Sequence, residues 1–283
     1  MQRIWKLFVV AVLTLFSIVS AQAQDKVIKI GTLPWEDCYS MTLITKKFLE
    51  KQGYKVEVTK FSEWGIAFAA ASKGDIDLFV SLPDYVTHDY WAKSKNRLEK
   101  VSAVSFGLYQ GLVVPKYMNI DSIDQLNSIA DSVGGKIIGI EPGAGLMRDV
   151  KNVIKAYDLK YQIVDGSTAA MTAQLQSSIE RKEPIVTMLW TPSWMIQKFD
   201  VKYLKDPKGV FPPFQTYFWL AKKGFSQEND HARASIAAVF VNIDDVTALS
   251  AEMNKGKTME QAVDAWWDAH SDLVDRWSVM ASK

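Results

Sequence analysis

The feature that most constrains this chain is a strand–helix grammar that occurs twice. Val27-Ile28-Lys29-Ile30-Gly31 reads as a short strand, and a turn at Pro34–Asp37 leads into a helical pattern over Tyr39–Gln52, with Gly53 placed to stop it. Tyr54–Phe61 alternates as a strand does, and Ser62 is placed to cap a helix running to Lys73. Gly74 ends that helix and Ile76–Leu82 is the next strand. The pattern returns with strands expected at Lys136–Ile140, Tyr161–Val164 and Ile185–Leu189, separated by helices over Gly143–Tyr157 and Ser167–Arg181. Strands alternating with helices specify parallel sheets covered by helices.

Two such units, followed by a strand at Tyr217–Ala221 and three helical segments ending at Trp277, predict an α/β fold of two lobes. Each lobe is expected to be a mostly parallel sheet flanked by helices, with a ligand cleft between them. The chain would build part of lobe 1 over residues 24–111, lobe 2 over 112–215, and return to lobe 1 over 216–283. Crossing strands near Gly107–Gly111 and Gln215–Trp219 would then form a hinge, and hinge closure traps a ligand.

Residues 1–23 read as an export signal. Arg3 and Lys6 precede an apolar run over Leu7–Val19, and Ala21-Gln22-Ala23 has the small-x-small form of a cleavage site. The expected product is periplasmic and soluble, with about 260 residues, enough for two lobes. The formal net charge of +1 gives no basic surface for nucleic acid. Cys38 is the only cysteine, so no internal disulfide can form.

In open α/β sheets, ligands sit beyond the carboxyl ends of the strands. The loops there carry Trp35 and Asp37, then Asp84 and Tyr85, then Gly143-Ala144-Gly145 at the start of a helix, then Trp190 and Trp194. Aromatic faces with a carboxylate suit a bulky cation, because a quaternary nitrogen has no N–H and is held by ring quadrupoles, at ~0.5–2 kcal/mol per face. Backbone N–H groups at a helix start suit an oxygen end. A single Trp in a loop is more often packing than ligand contact, and Trp64, Trp91, Trp219, Trp266, Trp267 and Trp277 read as structural. Asp37 alone reads as a turn or cap residue. The three histidines, His88, His231 and His270, form no metal-type pair, and Cys38 has no evident base, so neither an enzyme, a metal nor a cofactor is expected.

Several longer stretches resemble the substrate-binding proteins of glycine betaine, proline betaine and choline ABC importers. They are Gly135-Lys136-Ile137-Ile138-Gly139-Ile140-Glu141-Pro142-Gly143-Ala144-Gly145, Lys182-Glu183-Pro184-Ile185-Val186 and Trp190-Thr191-Pro192-Ser193-Trp194, the last continuing into Lys198-Phe199-Asp200 and Tyr203-Leu204. Gly74-Asp75-Ile76-Asp77 and Thr87-His88 are weaker matches. The resemblance implies a two-lobed binding protein that hands a quaternary amine to a membrane permease driven by a separate ATPase, with a monomer as the default state. It implies cage roles for Trp190 and Trp35, a cation or hydroxyl contact for Asp37, and a polar-end contact for Gly143–Gly145. Members usually carry a Trp before a Pro after the third strand. Here the stretch is Ser81-Leu82-Pro83-Asp84-Tyr85, so Tyr85 or Asp84 is the expected substitute. The alternatives are a binder that serves a sensor or chemoreceptor, or one for a different small amine or amino acid.

Overall fold

The computed structural model describes residues 27–282; the expected signal segment lies outside them. Strands β1 (Val27–Thr32), β2 (Lys55–Lys60) and β3 (Leu78–Ser81) alternate with helices α1 (Glu36–Lys51) and α2 (Trp64–Lys73). Helix α3 (His88–Ser94) then leads to β4 (Leu98–Pro115), an 18-residue strand. The second unit holds β5 (Lys136–Ile138), α4 (Gly145–Ala156), β6 (Gln162–Val164), α5 (Thr168–Arg181), β7 (Thr187–Thr191), α6 (Trp194–Lys198) and β8 (Val201–Tyr203). Strand β9 (Gln215–Lys222) opens the return, followed by α7 (Phe225–Glu228), α8 (Asp230–Ala238), α9 (Ile243–Asn254), α10 (Met259–Ala269) and α11 (Ser271–Ala281).

The strand order is β2-β1-β3-β9-β4-β7-β5-β6, with β8 added to β4. Pairs β1–β2, β1–β3, β5–β6 and β5–β7 are parallel, as the alternating grammar requires. The antiparallel pairs all involve β4 or β9, which run between the two parallel groups. Strand β4 is common to both lobes: Leu98–Leu108 pair with β9, and Tyr109–Pro115 pair with β7 and β8. Its pairing with β9 slips at three irregularities, one of them spanning Gly107 at φ 130°, a conformation that favours glycine.

Several boundaries differ from the sequence reading. Helix α1 starts three residues before Tyr39, because Glu36 and Asp37 enter its first turn, where carboxylates oppose the helix dipole favourably. Helix α2 has Glu63 rather than Ser62 at its N-cap and no side-chain cap bond. It ends at Gly74 (φ 84°) as expected. Strand β7 lies two residues later than Ile185–Leu189 and carries Trp190 inside it, because its pairing partner on β4 extends from Val113 back to Tyr109. The return segment has five helices instead of three. Of the two expected crossings, β4 passes between the lobes as one strand, whereas Gln215–Trp219 lie within β9 and pair only on the lobe 1 side.

The core of lobe 1 is built by α1, whose Met41, Ile44 and Phe48 are fully buried. The return helices close over the same helix, with Trp277 packed edge-on to Phe48 at 5.7 Å. Trp219 and Tyr217 on β9 are the largest fully buried side chains.

Candidate functional site

The parallel strands of each lobe point their carboxyl ends at the seam between the lobes, and a cavity lies there with about 360 Å³ of empty space including its mouth. Lobe 1 contributes Trp35 and Asp37 from the start of α1, Trp64 from α2, and Leu82 and Val86 after β3. Lobe 2 contributes Ile140, Ala144 and Gly145 around the start of α4, and Trp190 from β7. Leu108 and Gln110 come from β4, two residues apart and so on one face of the strand. Gln110 is directly opposite Trp190 across the β4–β7 pair, which turns both side chains to the same side.

Three indoles therefore meet at one cavity. The rings of Trp35 and Trp64 are 5.3 Å apart with a 34° tilt. Trp64, which the helical pattern assigned to packing, also stands at this cavity beside Trp35. It is 3 % exposed and lines the cavity from the first residue of α2. No signal in its own helix marks it, since a buried Trp at a helix start packs against core in most proteins.

The seven residues expected at the site separate into two groups. Trp35, Asp37, Ala144, Gly145 and Trp190 line the cavity. Tyr85 stands outside the lining with 42 % of its surface exposed, and its carbonyl accepts a 2.8 Å bond from Arg148. Gly143 is also outside it: its carbonyl accepts from the Tyr90 hydroxyl at 3.3 Å, and a β-carbon there would meet Glu63 at 2.6 Å. Both take part in contacts across the seam instead.

Asp37 is 4 % exposed. Its Oδ2 accepts from the Tyr217 hydroxyl at 2.6 Å and its Oδ1 from the Cys38 N–H at 2.8 Å. Burial pushes its pKa above the usual carboxylate range, against these bonds, which lower it. Burial also raises Glu36, and the adjacent Asp37 adds to that shift. The buried Cys38 thiol and Tyr217 hydroxyl are pushed well up by the same cause. Among the described residues, Glu36, Asp37 and Glu141 form no ion pair with Lys, Arg or His. Trp35 Nε1 and Gln110 Oε1 are buried without a hydrogen-bond partner. Buried orphan groups of this kind are uncommon in folded proteins and call for an explanation such as a ligand or an ion.

Across the seam, Arg148 donates to the Tyr85 carbonyl and pairs with Asp89 at 3.1 Å, while within its own helix it holds Asp149 at 3.0 Å. Trp194 Nε1 donates to Glu36 Oε1 at 2.9 Å, and its backbone N–H donates to Ser250 on α9 at 2.7 Å. Beside the cavity and sharing Trp35 with it, a second, larger opening lies between Pro34–Glu36 and the residues around Glu141, α5 and Trp194.

Residues 26–269 match the family described as the substrate binding domain of the ABC-type glycine betaine transport system. The chain is 34 % identical over 158 residues to the glycine betaine/carnitine transport binding protein of Listeria monocytogenes serotype 1/2a (strain 10403S); that match spans 55 % of this chain and about half, 53 %, of the relative. It is 26 % identical over 279 residues to the glycine betaine/proline betaine-binding periplasmic protein of Salmonella typhimurium (strain LT2), covering 83 % of this chain and 84 % of the relative. Lactococcal OpuAC, solved in its closed-liganded conformation with glycine betaine, superposes with a TM-score of 0.82 at 28 % identity, over 89 % of this chain and 99 % of that one. The fold is the two-lobed one of the periplasmic binding proteins, and the chain belongs to the substrate-binding domain family of ABC-type glycine betaine transport systems.

Proposed function

We propose that this protein captures a quaternary-ammonium compound, such as glycine betaine, choline or a relative, and delivers it to the membrane permease of an ABC importer driven by a separate ATPase. The observation that carries this reading is the convergence of Trp35, Trp64 and Trp190 on one cavity beside a buried carboxylate that has no cationic partner. Indole faces attract a methylated nitrogen without hydrogen bonds. Asp37 supplies the opposite charge, or accepts from a hydroxyl. Gln110 and the backbone at Ala144–Gly145 face the polar end of the ligand.

The lobes in this proposal are 24–111 with 216–283, and 112–215. They hinge at β4 and at the segment entering β9. An open form admits the ligand and closure completes the cage, since Trp35 and Trp64 lie on one side of the seam and Trp190 on the other. The family relationship supports export to the periplasm after removal of residues 1–23, because the Salmonella relative is a periplasmic protein.

The test is titration of the exported form with glycine betaine, choline, carnitine and proline, followed by tryptophan fluorescence and calorimetry. Saturable binding of a methylated amine is expected. Trp190→Ala should weaken it at least about tenfold, which is ~1.4 kcal/mol and within the range for one lost aromatic face. Unchanged affinity in that variant removes Trp190 from the site, and silence with all four compounds removes the quaternary-amine assignment.

A further inference from the structure

We propose that Trp194 is a positioning residue for ligand capture: it clamps lobe 2 onto lobe 1 around a filled cage and sets how fast the ligand leaves, without touching it. This role rests on the capture of a ligand by the cage.

Trp194 follows the cage indole Trp190 by four residues and is the first residue of α6. It is absent from the cage lining. Contacts within its own lobe orient its ring: Phe199 lies 5.9 Å away at 46°, and the Lys198 ammonium lies 5.3 Å from the ring centre. Both N–H groups of Trp194 are given to lobe 1. The indole Nε1 donates to Glu36 Oε1 on α1 at 2.9 Å, and the backbone N–H donates to the hydroxyl of Ser250 on α9 at 2.7 Å. One residue of lobe 2 is thus tied to two helices of lobe 1.

The acceptor on α1 is part of the frame of the cage. Glu36 stands between Trp35 and Asp37, and both of those line the cavity. A ligand held between Trp35, Asp37 and Trp190 fixes the spacing of the start of α1 from the end of β7. The Trp194–Glu36 bond spans that same spacing, so filling the cage sets the bond, and parting the lobes breaks it. Among the described residues, Trp194 is the one side-chain donor to Glu36. Burial raises the Glu36 pKa, and the bond from Trp194 opposes that shift. Without Trp194 the closed form would hold a buried carboxyl group deprived of its donor, whereas the open form returns it to water. The clamp therefore favours the closed arrangement alone. Because no ligand atom takes part, it changes the affinity of every cage ligand by the same factor.

The experiment measures association and dissociation rates of choline, glycine betaine and carnitine by stopped-flow fluorescence. Trp194→Phe keeps an aromatic ring and removes the indole N–H. It should speed dissociation at least about tenfold, the size of one lost hydrogen bond to a charged group, and leave association within about twofold. The factor should be equal for each ligand that binds, and the ligand-free melting temperature should match the wild type. Glu36→Gln, whose amide oxygen still accepts from Trp194, should keep slow dissociation, whereas Glu36→Leu should reproduce Trp194→Phe. The inference fails if dissociation is unchanged in Trp194→Phe, if the factor differs between ligands, which would put Trp194 in contact with them, or if Glu36→Gln loses as much as Glu36→Leu. A wild type that binds none of the three compounds overturns the quaternary-amine assignment, and the clamp is then judged without ligand. Nitroxides at Lys95→Cys and Asp131→Cys, exposed residues of lobes 1 and 2, report the closed fraction by pulsed electron paramagnetic resonance. Trp194→Phe should lower that fraction and Glu36→Gln should preserve it; identical distance distributions in wild type and Trp194→Phe overturn the clamp.

Discussion

Gly145→Ala separates lobe stability from lobe closure. Gly145 is the first residue of α4 in lobe 2, and it meets the backbone of Val86 in lobe 1. A β-carbon there would lie 2.2 Å from the Val86 carbonyl oxygen, 2.8 Å from its carbonyl carbon and 2.9 Å from its Cγ1, against 3.4 Å for ordinary contact. The obstacle is backbone, so the methyl group cannot be accommodated by rotating a side chain. The lobes must stand apart by roughly an ångström, which also lengthens the bonds from Arg148 to the Tyr85 carbonyl and from Tyr90 to the Gly143 carbonyl. Overpacking of this kind costs ~1–3 kcal/mol. Charged against the closed form alone, that weakens ligand binding by about 5- to 150-fold. Within lobe 2 the substitution is neutral or favourable, since alanine is the better helix former. The assay is calorimetric affinity beside melting temperature with and without ligand. Binding should fall while the ligand-free melting temperature stays level or rises. Wild-type affinity in this variant would show that the ligand is held without the seam contacts described here.

Three further substitutions or probes address the cavity itself. Trp64→Phe keeps an aromatic ring in the core and weakens the ring quadrupole, so affinity for a methylated amine should drop by about two- to tenfold; equal affinity would return Trp64 to a packing role. Asp37 has a folded pKa above its unfolded value, so the folded state favours its protonated form. The cost of ionising it is absent below pH 3.8, the ordinary value, and is fully present above the raised folded pKa. Melting curves of Asp37→Asn should therefore gain on the wild type as pH rises through that window, while choline binding weakens; a difference independent of pH would contradict the buried-carboxylate assignment. Cys38 is 1 % exposed, lines the cavity, and has its thiol pushed well up by burial. Its alkylation should be slow in the folded protein and slower with cage ligand bound, as read by mass spectrometry, and protection unaffected by ligand would place the ligand elsewhere.

Much of the fold was legible in the chain because it depends on local chemistry. The alternation in Tyr54–Phe61, the stop at Gly74 and the Ser167 cap of α5 are short-range signals, and β2, α2 and α5 follow them. Parallel strands place their carboxyl ends together, so the rule for open sheets was enough to single out the loops of Trp35, Asp37 and Ala144–Gly145, and these residues line one cavity. Long-range pairing decided the rest. Gln110 reaches the cavity because β4 runs unbroken through both lobes and sets it opposite Trp190, a register that neither segment encodes alone. Trp64 turns to the cavity because α2 packs beside Trp35, and nothing within one helix distinguishes a core wall from a ligand wall. Tyr85 and Gly143 sit in the expected loops yet face Arg148 and Tyr90, since the contacts that join the lobes claim them. Local propensity sets where elements begin and end, but the identity of a buried neighbour is a property of two distant segments, and only their packing determines it.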